Sequence, residues 1–371
     1  MKLALLVEGF DPARGGAERA VRALSEALLA SGHALSVYAP AERAGPPLPA
    51  GGRVVGVELP RLPRPLWAWS LARRLSARAR AEGAELVIAT GKQLGADLYW
   101  PHNGVHAATL AAAGQGRFWA RLGRRLRPAE WSYAGIEARA LSACARGQTR
   151  LVALSERVAA DLRRHHHQLA DAVIHNGIDP TRFRPPTSEE RGEARRALAR
   201  RIGARGDRAI ALFCAHAFRL KGLETLLRAA AALPEVHVAV AGGGSPHPWL
   251  PLAQGLNLMG RLSFMGHVKD MTPVLRGATF LAHPSRYDPC SLVVIEALAS
   301  GLPVIGSAAD GAAELIGAAG RVVPPGEVLL LEDALRELAD PRERAKCAAA
   351  AAEFRRPWSQ VGAELLQLGA R

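Results

Sequence analysis

Cysteine is scarce: Cys144, Cys214, Cys290 and Cys347 are the only four in 371 residues. No two stand at C-x-x-C spacing, which excludes a zinc ribbon or a dithiol redox motif. So few in a chain this long argue against a disulfide scaffold and for a reducing compartment. No run of about 18 uncharged apolar residues occurs, so the sequence offers no membrane span. The opening MKLALLVEGF is no secretory leader, because its apolar part covers only residues 3–7 before Glu8 interrupts it. It reads as a buried first strand. A G-x-G-x-x-G fingerprint is missing, which counts against a dinucleotide cofactor. No RNP, helix-turn-helix or zinc pattern is present, which leaves nucleic-acid binding without a module. No DxD-like acidic cluster stands where a metal would serve, so no metal site is expected.

What is present is a folded composition, with 49% hydrophobic and 22% charged residues. The length suits two domains. The net charge is +14, from 48 basic and 34 acidic residues. Lys2, Lys92, Lys221, Lys269 and Lys346 are all the lysines, so the excess is arginine. Such a balance favours anionic partners. Compositional bias in an Ala- and Gly-rich chain is the competing account of the total.

Short apolar runs alternate with helical patterns. Residues 3–7, 35–39, 54–59, 86–90 and 151–154 read as strands. Residues 20–28 and 66–82 carry i, i+3/i+4 periodicity. Strand, loop, helix, strand within the first 40 residues is a βαβ unit and begins a parallel sheet. The pattern breaks at IHNGIDPTRFRPP (residues 174–186), where Asn176-Gly177 marks a turn and prolines follow. A polar helix over 188–201 comes next, and the alternation restarts with strands at 209–215, 236–241, 262–265, 279–282 and from 303. Helices fall at 223–233 and 292–300. From 328 to the end the chain reads as helical, broken at Pro341 and Pro357. The expected fold class is α/β, two doubly wound halves in tandem.

Ligands of open α/β sheets bind beyond the carboxyl ends of the strands, so motifs directly after strands carry the functional weight. Gly15-Gly16 in the first loop lets a ligand approach backbone and the following helix N-terminus; the bland reading is a tight turn. His102 and His106 in a turn-rich segment could hydrogen-bond a substrate or move a proton. Arg219 and Lys221 precede a helix and could hold a diphosphate, or form a solvated basic loop. Gly266-His267-Val268 ends a strand in a turn able to face a flat base. The strongest stretch is His283-Pro284-Ser285-Arg286-Tyr287-Asp288-Pro289-Cys290-Ser291-Leu292-Val293-Val294-Ile295-Glu296. Asp288 precedes a helix and Glu296 lies two turns on. The Ser291 and Leu292 amides would face phosphate oxygens and the acids would accept sugar hydroxyls. Alternatively, Asp288 and Ser291 are helix-start acceptors and Glu296 an exposed helix acid.

This stretch resembles the E-x7-E region of retaining glycosyltransferases of family 4. Asn176-Gly177-Ile178-Asp179 with Arg182-Phe183, Gly15-Gly16-Ala17-Glu18, and Gly301-Leu302-Pro303-Val304 resemble that family's other segments, in order along the chain. The resemblance implies a GT-B fold of two Rossmann-like doubly wound domains with an interdomain cleft: an acceptor domain over 1–178, a nucleotide-sugar domain over 179–355, and a C-terminal helix, 356–371, packing back on the first. It further implies that Glu296 holds the ribose, Asp288 the transferred sugar, and Arg219, Lys221 and the Ser291 and Leu292 amides the diphosphate. His267 and Val268 would lie near the base, Gly15 and Gly16 near the phosphates, and His102 near the reacting sugar. His102, Asp288, Arg219 and Lys221 are thus the catalytic candidates. Three departures stand out: Asp288 replaces the usual glutamate, Ser291 a glycine, and His216 an arginine, for which Arg219 substitutes.

The expected reaction is retaining, metal-independent transfer of a hexose from a nucleotide-sugar, UDP-glucose favoured, with no cofactor beyond that co-substrate. The acceptor would be a glycan or lipid-linked glycan. Lys92-Gln93-Leu94-Gly95-Ala96-Asp97-Leu98-Tyr99, followed by a long Arg/aromatic stretch, resembles lipopolysaccharide-core glucosyltransferases, so a bacterial cell-envelope acceptor is one expectation. Two basic segments, residues 61–81 with Trp67 and Trp69, and residues 107–129 with Phe118 and Trp119, suit an anionic membrane surface. The alternative is a solvated helix face with Trp in the core. The location expected is cytoplasmic, peripheral on the inner membrane face. Rival readings are a nucleotide-sugar epimerase of the same fold and a non-catalytic glycan-binding protein. His165-His166-His167 reads as surface.

Overall fold

The computed structural model describes residues 1–12, 15–49, 51–113 and 128–370. The chain divides into two compact units, residues 1–177 with 356–371, and residues 178–355.

In the first unit the order is β1 (Lys2–Leu6), α1 (Gly16–Ala30), β2 (Ala34–Pro40), β3 (Gly52–Val57), α2 (Arg64–Ala81), β4 (Leu86–Ala89), β5 (Leu98–Tyr99), α3 (His106–Ala113), α4 (Pro128–Ala145), β6 (Arg150–Ala153), α5 (Glu156–His166) and β7 (Ala172–Val173). The strands form one parallel sheet in the order β3-β2-β1-β4-β5-β6-β7. β1 and β4 are continuous apolar runs because helices cover both sheet faces. Helix α1 buries Ala20, Val21, Leu24 and Leu28 along one stripe. The last helix of the chain, Trp358–Gly369, belongs to this unit. Its first residue explains Gly177: a Cβ there would lie 2.9 Å from the Trp358 backbone.

The second unit runs α6 (Ser188–Ile202), β8 (Ala209–Cys214), α7 (Leu223–Ala231), β9 (Val236–Ala241), α8 (Leu250–Gly255), β10 (Leu262–Gly266), α9 (Thr272–Gly277), β11 (Phe280–Ala282), α10 (Leu292–Ala299), β12 (Val304–Ser307), β13 (Gly320–Val323), α11 (Val328–Ala339) and α12 (Pro341–Ala352). Its parallel sheet has the order β10-β9-β8-β11-β12-β13. A capping box starts α6: Thr187 Oγ1 accepts from the Glu190 amide, and the Glu190 carboxylate accepts from the Thr187 amide. Phe213, Leu226, Val238, Val240, Phe280 and Leu335 form the core between sheet and helices.

Both sheets reverse direction at their first strand. β1 lies between β2 and β4, and β8 between β9 and β11. A crevice forms at such a reversal, outside the carboxyl ends of the strands, and ligands settle there. The loops after β1 and β4 in the first unit, and those after β8 and β11 in the second, are therefore each unit's candidate ligand-binding segments. All four cysteines are free thiols. No helix among the described residues is long and apolar enough to cross a membrane.

Candidate active site

In the second unit, the loops after β8, β11 and β12 meet at the reversal. Gly222, at φ +81°, ends the first of them, and a Cβ there would lie 1.9 Å from the Pro284 carbonyl oxygen. Only glycine lets the two loops approach so closely. That approach sets Lys221 against the second loop: its Nζ donates to Asp288 Oδ2 at 2.6 Å and to the Tyr287 carbonyl at 2.9 Å. Both partners of the ion pair are largely buried, with side chains 18% and 15% exposed.

Asp310, after β12, laces the third loop to the second. Asp288 and Asp310 form a parallel bridge, the Asp288 amide donating to Ala309 O and the Gly311 amide to Asp288 O. Asp310 Oδ1 accepts from the Ser291 amide at 3.1 Å and the Ala312 amide at 2.9 Å. Buried His283 places Nε2 3.1 Å from Ser291 Oγ and 3.7 Å from carboxylate oxygens of both Asp288 and Asp310. Burial pushes the Asp288 carboxyl up, but the Lys221 ammonium and His283 outweigh it and hold it below the usual range. Asp310 goes the other way: burial first, then the neighbouring Asp288 charge, push it up to about 7. Two carboxyls of one cluster are thereby separated into a firm anion and a group close to its neutral form. Donor atoms of His283, Asp288 and Asp310 all lie within 4.8 Å of one another, a set with the chemistry of a cation site. The cation already seated at Asp288 is Lys221.

The placement corrects the reading of Ser291. Its amide, expected to face phosphate, is taken by Asp310, because a buried carboxyl needs donors. Ser291 is itself 5% exposed and here helps to hold the start of α10. Leu292 is the first residue of that helix. Glu296 is 7% exposed, so the bland account of an exposed helix acid does not hold. Arg219 is exposed, its guanidinium 5.8 Å from the Trp249 ring. His216 and His267, just beyond the ends of β8 and β10, are exposed and stack at 6.4 Å, with Val268 next along. Thus His216, which stands where an arginine was expected, lies beside the residue expected near the base.

In the first unit, Gly15 caps α1 with extended backbone and Gly16 begins it. His102 follows β5, and its amide donates to Thr90 O after β4. Its ring packs edge-on against Trp100 at 4.3 Å. Burial pushes its pKa down to about 3, so the ring is neutral, and Nε2 has no hydrogen-bond partner among the described residues.

The sequence reading missed a buried network nearby. Glu137 on α4 accepts from the His106 amide, Lys92 Nζ at 3.3 Å and His166 Nε2 at 3.0 Å. His166, read as surface, is a partner within this network. His106 pairs with Glu130 at 3.2 Å. Glu137 follows no strand and belongs to no motif, so only the tertiary fold reveals it. Asp310 could have been found, because it follows a strand as the singled-out motifs do; His283 heads the strongest stretch but gets no role from the sequence.

Trp67 and Trp69 are half-buried. They pack on a cluster of Ala68, Ala72 and Ile136, with Arg43 and Arg73 over their rings. Of the second basic segment, Arg117, Phe118, Trp119, Arg121, Arg124, Arg125 and Arg127 lie outside the described residues, as does Arg14 of the first loop.

Residues 14–182 match the family described as Glycosyltransferase Family 4, and residues 208–340 that described as Glycosyl transferases group 1. A D-inositol 3-phosphate glycosyltransferase of Streptomyces coelicolor is 34% identical over 227 residues, covering 52% of this chain and 50% of that protein. The chain thus spans about half the length of the curated relative it matches. Among solved structures, WaaG, a glycosyltransferase involved in lipopolysaccharide biosynthesis, superposes with a TM-score of 0.80 at 22% identity over 99% of both chains. Anabaena Alr3699/HepE, solved with UDP-glucose, gives 0.68 at 19% identity over 99% of this chain and 98% of that one. These likenesses establish the GT-B fold of two Rossmann-like, parallel-sheet domains.

Proposed function

The chain belongs to the GT-B glycosyltransferases of family 4, and from that premise we propose that it transfers a hexose from a nucleotide-sugar, UDP-glucose first among them, to a glycan or lipid-linked glycan acceptor with retention of anomeric configuration. The observation that carries the reading is the Lys221–Asp288 pair, largely buried at the sheet reversal of the second unit. A nucleotide-sugar brings a diphosphate that needs a fixed cation and sugar hydroxyls that need an anionic acceptor. Lys221 and Asp288 supply these side by side.

The chemistry is governed by charge. The bond from anomeric carbon to diphosphate oxygen breaks ahead of the new bond, leaving an oxocarbenium-like sugar and added negative charge on the leaving group. Lys221, assisted by Arg219 and the Leu292 amide at the start of α10, stabilises that charge without a metal. Asp288 holds hydroxyls of the transferred sugar and Glu296 those of the ribose. His267 and Val268 lie toward the base. On the first unit, Gly15 and Gly16 present approachable backbone at the start of α1, and neutral His102 has an Nε2 without a hydrogen-bond partner among the described residues.

The acceptor is anionic. The +14 charge favours it, and the names of the similar proteins above, one acting on an inositol phosphate and one in lipopolysaccharide biosynthesis, agree in that chemistry. A lipopolysaccharide-core or related envelope glycan, reached by peripheral attachment at the inner face of the cytoplasmic membrane, fits both. The test is a screen of nucleotide-sugars for thermal stabilisation and hydrolysis. UDP-glucose should stabilise the chain and release UDP slowly without acceptor. If no nucleotide-sugar binds, the proposal fails.

A further inference from the structure

The second unit contains a cavity of about 690 Å³ remote from the loops described above. It lies at the opposite ends of the strands, where β8, β11 and β12 begin. Arg191, Arg195 and Arg344 line it, each half-buried and none in a salt bridge among the described residues. Their contacts are neutral ones. Arg195 donates to Thr279 Oγ1 and the Arg208 carbonyl, Arg191 to Gly301 O, and Arg344 to the Leu338 and Ala339 carbonyls. A guanidinium has five N–H donors, so each keeps at least three unused. Burial works against the charged form of all three; Arg195 also feels Arg344, partly offset by Asp207, and Arg344 is partly offset by Asp340. The acidic residues of the lining, Asp207 and Glu235, are exposed and form the rim.

Three cations lining one concavity of ligand size, with no salt bridge to any of them among the described residues, are an unusual thing for a fold to keep. Structural arginines are ordinarily buried against carboxylates. We propose that this cavity is a second, non-catalytic binding site for a small phosphate monoester, the phosphate held by forked hydrogen bonds from Arg191, Arg195 and Arg344. The strands that begin at the cavity lead into the loops carrying Lys221, His283 and Asp310, so an occupant braces the elements that carry the catalytic loops. This inference stands apart from the donor reading.

Isothermal titration of the full chain tests it, with inorganic phosphate and glucose 6-phosphate as separate probes. Saturable binding of at least one is expected. Arg191→Gln with Arg344→Gln should weaken it at least about tenfold, the loss of charge-assisted hydrogen bonds. Arg219→Gln with Lys221→Gln, which strips cations from the other end of the sheet, should leave it within about twofold. Asp207→Asn with Glu235→Gln removes the rim charges and should tighten binding at low salt, a gain that damaged folding does not mimic. Equal affinity for the two probes makes the phosphate the whole ligand, whereas tighter glucose 6-phosphate adds the sugar; either outcome supports the site. No saturable binding, unchanged affinity in both cavity variants, or loss confined to the Arg219/Lys221 variant overturns it.

Discussion

Replacing Lys221 by methionine tests both the architecture and the chemistry. The side chain is 18% exposed, and its Nζ lies 2.6 Å from Asp288 Oδ2. Its removal takes a charged hydrogen bond from the leaving group, about 1.5–3 kcal/mol or roughly 10- to 150-fold in turnover. It also leaves Asp288 as a largely buried carboxylate without its cation. Breaking one side of such a pair costs about 3–5 kcal/mol, which for a unit of this size lowers the melting temperature by roughly 6–20 °C. In the parent protein Asp288 sits below the usual carboxylate range, so its contribution is complete above the unfolded pKa and lost only in strong acid. Without Lys221, burial prevails and the carboxyl rises. The variant's destabilisation should therefore be smaller at pH 5, where protonation relieves the stranded charge, than at pH 8. Adding Asp288→Asn removes the stranded charge and should restore most of the melting temperature while turnover stays low. UDP release and thermal melts across this pH range provide the assay. Full turnover in the double variant would show that the pair only holds two loops together, and the chemical role of Lys221 would be abandoned.

Asp310 makes the opposite prediction. Its carboxyl is pushed up to about 7 by burial and by Asp288, so between the ordinary carboxylate value and about pH 7 the folded chain binds more protons than the unfolded one, and stability falls as pH rises. Asp310→Asn keeps an oxygen for the Ser291 and Ala312 amides and removes this dependence. Its melting temperature should exceed the parent's more at pH 8 than at pH 5, and an equal difference at both refutes the buried-proton account. Glu296→Gln should weaken UDP binding by roughly tenfold; unchanged affinity by calorimetry excludes it from the ribose site. Glu137→Gln strands Lys92, whose side chain is 9% exposed, and should cost about 3–5 kcal/mol. A melting curve indistinguishable from the parent's would show that the Lys92–Glu137 pair contributes nothing net.

What could be read in the residues, and what could not, follows from how each signal is written. Long buried strands such as Val236–Ala241 carry their own apolar run, and ligands of such sheets bind after the strands, so the loops holding Lys221 and Asp288 were legible in the sequence, whereas the strand order came from pairing. Two-residue strands such as Leu98–Tyr99 and Ala172–Val173 are too short to show a period; neighbouring strands define them through pairing. Charge was the harder matter. Asp288 and Asp310 are the same residue type after neighbouring strands, yet one becomes a fixed anion and the other is pushed toward its neutral form, because Lys221 donates its hydrogen bond to the first while burial and the Asp288 charge weigh on the second. Composition likewise shows an arginine excess but not its division. Arg78 and Arg80 answer Glu82 and Asp97 on the surface, whereas Arg191, Arg195 and Arg344 line a cavity and make no salt bridge among the described residues. A sequence records which charges exist, and folding decides which of them are left to recognise something else.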